Sequence, residues 1–335
     1  MGRLREAPDV IKLAKDLGLT SEDPAEAILA HCRERVASWV ESFKGKLDLP
    51  RLHQLIDNKL DVQHIVVQND AELDNLIAEQ TGHGETIFAT LKEEFARGTE
   101  AITIKLKHAG VGMKRHLAVI DGRGSRATRI YFGKRHEGSH LLCLSPRQLS
   151  FVFRRTHASK NVAEEQLIDR ISGELAFYSP IFSPWLVRLQ CRYGRPCFHL
   201  IDDLRMHVCT EASWTATAIA MVEQNESPAI YLTARYASKA GQVSGPGSTS
   251  WALRANPRWN RAAKNAGLFI PWNYRIPSSS VIHHTFHSVL GSMDQNADER
   301  LGIWTASNGS SLSDLPVRIE ARKLSDQVSA IITLR

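Results

Sequence analysis

Residues 134–142 read KRHEGSHLL, with His136 and His140 four positions apart and Glu137 directly after the first histidine. Residues four apart on a helix share one face, about 6 Å apart along the axis. Both imidazoles can therefore reach one ion at the ~2.0–2.1 Å that zinc requires of a ring nitrogen. Glu137 sits one position round the helix, poorly placed as a third ligand and well placed beside a metal-bound water. Spacing alone assigns two ligands, His136 and His140, and one base, Glu137.

So short a pattern also arises by chance, and a catalytic zinc site needs a third protein ligand. The stretch NVAEEQLIDRISGELAFY, residues 161–178, reads as a helix and supplies Glu165, with Asp169 four positions on. One carboxylate can ligate while the other accepts a hydrogen bond from a ligand histidine, which orients the ring and raises its basicity. Leu167, Ile168, Ile171 and Leu175 give this helix an apolar face to set against the motif helix. Glu164 and Glu174 read as surface acids.

The two segments YFGKRHEGSHLL and EEQLIDRISGELAF together resemble the ImmA/IrrE family of metallo-endopeptidases, over about residues 117–180. Phe132 and the pair Glu174-Leu175 match that family's pattern as well. Arg135 departs from it, standing where a small residue is common, and so does Asp169, standing where asparagine is frequent. The resemblance implies a zincin-like core holding Zn2+, with Mn2+ as an alternative, on His136, His140 and Glu165, with Glu137 as general base. It also implies a cytoplasmic protease that cuts a helix-turn-helix transcriptional repressor to release stress-response or mobile-element genes. Zinc would lower the pKa of a bound water and Glu137 would take its proton. Tyr131, Arg135 and Tyr178 are the candidates, by nearness in sequence, for steadying an oxyanion. Two other classes fit the same residues: a DNA-binding or sensor protein whose metal only holds its fold, marked by a fourth protein ligand, and a metal hydrolase acting on something other than peptides.

Composition sets the frame. The chain has 335 residues, 43% hydrophobic and 23% charged, enough for two domains. It has no run of eighteen apolar residues and no signal-peptide core in MGRLREAPDVIKLAKDLGL, so no membrane span is expected and a cytoplasmic location follows. Five irregularly spaced cysteines argue against a disulfide framework. The net charge of +6 is unevenly spread: residues 101–160 carry 13 Lys and Arg against only Asp121 and Glu137, while acids outnumber bases in the first hundred. That basic segment suits an acidic partner, a nucleic-acid backbone or the acidic N-terminal region of the same chain.

The expected class is α+β, in four parts: a helical region over 1–100, the catalytic core over 101–182, short helices resembling a helix-turn-helix over 183–226, and a mixed α/β regulatory or recognition domain over 227–335. EAITIKLKH and KRHLAVID alternate as strands joined by HAGVGM as a hairpin. A turn at Asp121-Gly122-Arg123-Gly124 follows, with Ser125 placed to cap the motif helix. That strand's edge would receive a substrate peptide, and Gly138 would admit close approach between the ligands. AIYLTARYA, VRIEARKL and VSAIITL are further strands. HHTFH, at 283–287, reads as strand or loop bearing surface or partly buried histidines. Cys191, Cys197, His199, His207 and Cys209 fit no zinc spacing and read as buried cysteines with ordinary histidines. WALRANPRWNRAAKN, at 251–265, reads as a solvated loop with inward tryptophans rather than a platform for nucleic acid.

Overall fold

A computed structural model describes residues 2–107, 112–144, 152–156, 162–239, 251–288, 294–305, 309–324 and 326–335, and the protein is mixed α and β as expected. It divides into two compact units, residues 1–181 with 211–213, and residues 182–210 with 214–335.

The first unit opens with α1 (Gly2–Arg5), α2 (Pro8–Asp16) and α3 (Pro24–Glu41). The Asp23-Pro24 pair starts α3: the Asp23 carboxylate accepts the Glu26 N–H, and Pro24 occupies the first turn, where a missing donor is harmless. Asp48 caps α4 (Leu49–Lys59) in the same way. The chain then turns at Asp61, with φ 53°, into β1 (Val62–Val67), a strand absent from the expected helical first hundred residues. After α5 (Asp70–Gly82) come a 3-10 turn, Thr86–Thr90, and α6 (Leu91–Ala96), closed by Gly98 with φ 93°.

Strands β2 (Thr99–Lys105) and β3 (His116–Asp121) pair antiparallel, as the hairpin reading predicts, although residues 108–111 at its tip lie outside the described residues. Next come α7 (Ile130–Leu142), which carries the motif, β4 (Val152–Thr156) and α8 (Ala163–Ala176). The sheet order is β1-β3-β2-β4, with β1 parallel to β3. Residue 100 is thus no domain boundary, because β1 belongs to the sheet that supports the motif. Nor does β3 offer an edge, since β1 and β2 occupy both its sides; β4 is the outer strand on the other flank.

Alternation along these strands separates two faces. Ile102, Ile104, Leu117 and Val119 join Leu73, Leu76, Phe88, Leu91 and Phe95 in one core cluster. The opposite face carries Thr103 and Ile120, and there α7 lies: a Cβ on Gly133 would stand 3.5 Å from Ile120. The turn into α7 is tight. A Cβ on Gly122 would lie 2.8 Å from Val66 Cγ1 and 3.0 Å from Ile130 Cδ1, so any larger residue between β1 and α7 would have to displace those side chains. The buried Asp121 carboxylate holds this turn by accepting from the Arg123 backbone and from the Arg123 and Arg126 guanidinium groups. Ser125 lies within a 3-10 turn, Gly124–Arg129, and α7 follows with no side-chain cap, so the capping role expected of Ser125 is not realised.

Several bases of the 101–160 segment settle on acids from the first hundred residues. Arg115 meets Asp61, Arg123 meets Asp70, Arg129 meets Glu100 and Arg135 meets Asp57. The intramolecular reading of that charge asymmetry therefore accounts for much of it.

The second unit takes in α9 (Ser179–Tyr193) from Phe182 onward, then α10 (Phe198–His207), α11 (Trp214–Glu223), β5 (Ala229–Ala237), β6 (Ala252–Trp259), α12 (Arg261–Asn265), β7 (Tyr274–Arg275), α13 (Val281–His287), β8 (Gln295–Arg300), β9 (Pro316–Leu324) and β10 (Gln327–Leu334). Its strands form one antiparallel sheet, β7-β6-β5-β10-β9-β8. Two readings change here. WALRANPRW is a strand rather than a loop, and HHTFH is a helix, capped by the Ser280 hydroxyl. Pro257 is tolerated inside β6 because its nitrogen points to the side where β7 has already ended: Leu253 and Ala255 still accept from Ile276 and Asn273 there. Among the described residues no helix is long and apolar enough to cross a membrane.

Gly122→Ala should destabilise the first unit by about 1–3 kcal/mol through overpacking. Gly173→Ala, on α8, meets nothing within 4 Å and should stabilise by about 0.5–1 kcal/mol. Urea denaturation of both variants checks the pair, and equal effects would contradict this packing.

Candidate metal centre

Helix α7 is buried along one continuous stretch, Arg135 to Leu142, which is why its sequence lacks the polar stripe of a surface helix. It packs against the apolar face of α8, where Leu167, Ile168, Ile171 and Leu175 are buried as expected. Two fully buried serines stand at the crossing. Ser139 donates to the Arg135 carbonyl at 2.8 Å, and the Ser172 hydroxyl lies 2.6 Å from the Ile168 carbonyl and 3.0 Å from Ser139 Oγ. Each hydroxyl is satisfied within its own helix, so short side chains bring the helices together without leaving a buried polar atom bare. Gly138, expected to admit a close approach, meets only Leu60 Cδ1, at an ordinary 3.8 Å from a built Cβ.

The crossing brings three donors to one point. His136 Nε2 lies 3.2 Å from His140 Nε2 and 3.2 Å from Glu165 Oε2, and His140 Nε2 lies 3.4 Å from Glu165 Oε1. Donors ~2.0–2.1 Å from one tetrahedral centre stand about 3.3 Å from each other, so the triangle has the size zinc requires. Asp169 Oδ1 is 2.9 Å from His136 Nδ1, the contact that the orienting role expected of it requires. A neutral His136 that donates its Nδ1 proton to Asp169 presents a bare Nε2 lone pair to the Glu165 carboxylate. Two acceptors at that distance repel unless a cation lies between them, and two imidazoles with one carboxylate form a set suited to zinc. Without a cation, protonated imidazoles would have to take its place: burial raises the Glu165 carboxyl, but donation and charge from His136 and His140 then outweigh it and hold it at about 2.

Glu137 follows His136 directly on α7 and is fully buried. Its Oε2 accepts from the Thr103 hydroxyl at 2.6 Å, while Oε1 has no hydrogen-bond partner among the described residues. A buried carboxylate oxygen without a donor is costly, and a water or a substrate N–H is what it can accept from.

Two of the expected oxyanion donors are committed elsewhere. Tyr131 donates its hydroxyl to the Ala176 carbonyl, and Arg135 is paired with both Asp57 oxygens at 3.2 and 3.3 Å. Both are buried and serve to fasten α7 to its neighbours. Tyr178 lies past the end of α8, half-buried, its phenol pushed up in pKa by burial and then by Glu41. Glu174, read as a surface acid, forms a two-pronged pair with Arg33 that ties α8 to α3.

Among the described residues one further group could hold an ion, His199 with Asp294 and Glu320, but its acids are already used. Asp294 is paired with Arg322, and Glu320 accepts the N–H of Phe198 at the start of α10. The cysteines join neither group. Cys197 and Cys209 are buried as expected and Cys191 is exposed. His283 is half-buried, with His284 and His287 exposed.

Comparison with known protein families and with curated proteins finds no match to this chain. The chemistry therefore has to be argued from the site itself.

Removing the Asp169 carboxylate, by Asp169→Ala, should weaken zinc affinity about 10–100-fold while leaving the fold intact, as competition with a chelating dye would measure. A second expectation concerns His53, which donates to the Leu175 carbonyl at 3.1 Å. Burial, and then the charge of Arg135, push it from 6.5 down to about 3. The unfolded chain binds this proton near pH 6.5 and the folded protein refuses it until far lower. His53 thus contributes stability above pH 6.5 that is lost as pH falls, by up to about 1.4 kcal/mol per unit. His53→Gln keeps a donor for Leu175 and should lose stability less steeply than wild type in urea melts between pH 7 and 5; matching slopes would contradict the assignment.

Proposed function

We propose that this chain is a zinc-dependent endopeptidase of narrow specificity. The single observation that carries the reading is the triangle of His136, His140 and Glu165, with a buried carboxylate, Glu137, next to it. Three donors meet among the described residues, the number typical of catalytic zinc, whereas closed structural sites use four. The substrate class, a helix-turn-helix transcriptional repressor, rests on the resemblance of residues 117–180 to the ImmA/IrrE family.

In this proposal His136, His140 and Glu165 hold the ion, and Asp169 keeps the His136 ring in the tautomer that leaves Nε2 free to ligate. Zinc bound there supplies Lewis acidity towards a water and towards a carbonyl oxygen. Glu137 takes the proton from the attacking water and returns it to the leaving amine. Its burial suits that work, because a carboxylate with a dry, unpaired oxygen is a stronger acceptor than a solvated one. An extended substrate would add to an outer strand of the sheet, β1 or β4, since β3 is paired on both sides. Arg135 and Tyr131 brace the motif helix from behind and take no part in the chemistry.

The test is direct. Purified protein is assayed for zinc and incubated with the repressor encoded nearest its gene, and any cut is mapped. Glu137→Gln should keep stoichiometric zinc and lose cleavage by at least about 100-fold, whereas His140→Ala should lose the metal. Cleavage surviving in Glu137→Gln would reject the role of that residue. Zinc bound tightly with no peptide cut would point instead to a metal that only holds the fold.

A further inference from the structure

The pairing of Glu137 with Thr103 calls for an explanation of its own. Both side chains are fully buried, and the 2.6 Å bond between them joins a sheet strand to the motif helix. On the same face of β2 and β3 the neighbours Ala101, Ala118 and Ile120 are apolar, and Ala118 lies directly across from Thr103. A valine would fill this position with the same shape and the same preference for strand, so packing alone does not ask for the hydroxyl. What the hydroxyl adds is a donor aimed at one oxygen of a carboxylate whose other oxygen is left without a partner.

Resting on the endopeptidase reading, we propose that Thr103 is the positioning residue for Glu137. Its hydroxyl holds Oε2 and so makes Oε1 the oxygen that accepts the proton. The last torsion of a glutamate is broad and close to two-fold, so an untethered carboxylate would present either oxygen at many angles. A single donor on the rigid sheet removes that freedom, and the motif helix contributes nothing to it. The strand period makes the arrangement possible: Ile102 and Ile104 serve the core on the far side, which turns residue 103 towards α7. Thr103 touches neither the ligands nor the reacting atoms in this scheme and acts through Glu137 alone.

Thr103→Val and Thr103→Ser in the full-length, zinc-loaded protein test the proposal by two readouts. In Thr103→Val the zinc content and KM should hold while kcat falls about 10–100-fold, the size usual for a group that orients another, and Thr103→Ser should restore most of the rate. Independently of activity, the carboxylate stretching band that Glu137→Gln removes from the infrared difference spectrum should shift in Thr103→Val and stay in place in Thr103→Ser. Thr103→Ala serves the same comparison if the valine variant does not fold. An unmoved band, or a wild-type kcat in the valine variant, overturns the proposal. If wild type cuts no peptide and the band still shifts, the endopeptidase reading fails while the hold of Thr103 on Glu137 stands.

Discussion

Two helices can offer three donors to one ion only if their backbones come close, and in this protein that approach depends on the contact between Ser139 and Ser172. Larger side chains at either position would push α8 outward and carry Glu165 away from both imidazoles. The hydroxyls are spent within their own helices, so closeness is reached without an unsatisfied polar atom. The surrounding braces all act on the same two helices. Arg33 grips α8 through Glu174, Asp57 grips α7 through Arg135, and His53 and Tyr131 bind the end of α8 at Leu175 and Ala176. Helices α3 and α4 are thus part of the frame of the site, which explains why no domain boundary falls near residue 100.

Charge is arranged with the same economy. The fully buried stretch of α7 contains an arginine, two histidines and a glutamate, and each meets a defined partner. Asp57 is held at about 2 despite its burial, through its hydrogen bond to His64 and the charge of Arg135. Breaking such a buried pair exposes the desolvation penalty of the remaining ion, so these contacts specify one seating of the helix more than they add net stability. The concentrated positive charge of residues 101–160 follows in part from this role, since its arginines clasp acids on α4, α5 and β2.

Much of this was legible in the sequence. Helical spacing put His136 and His140 on one face and Glu165 and Asp169 on another, and the need for a third ligand joined the two; the structure brings His136, His140 and Glu165 to one point with Asp169 against His136. The strands at 229–237, 317–324 and 328–334 announced themselves by alternation. The failures have physical causes. VQHIVV gives little sign of a strand because it is short and lies between well-capped helices, although Asp61 and Asn69 mark both its ends. Pro257 masked β6, because a proline argues against a central strand unless the neighbouring strand is known to stop short. The HHTFH helix was obscured by its single short turn of apolar residues, and only the Ser280 cap signalled it. Tyr131 and Arg135 were singled out by nearness in sequence, which says nothing of their commitment to Ala176 and Asp57. Thr103 carried no signal, since a threonine in a strand is ordinary until the helix residue that faces it, Glu137, is known.

The central claim is that one ion sits among two imidazoles and a carboxylate, and X-ray absorption at the zinc edge of the zinc-loaded protein addresses it most directly. The account predicts nitrogen and oxygen neighbours only, at about 2.0–2.1 Å, with multiple scattering from two imidazole rings. A sulfur shell at about 2.3 Å, or a protein that takes up no zinc, would contradict it.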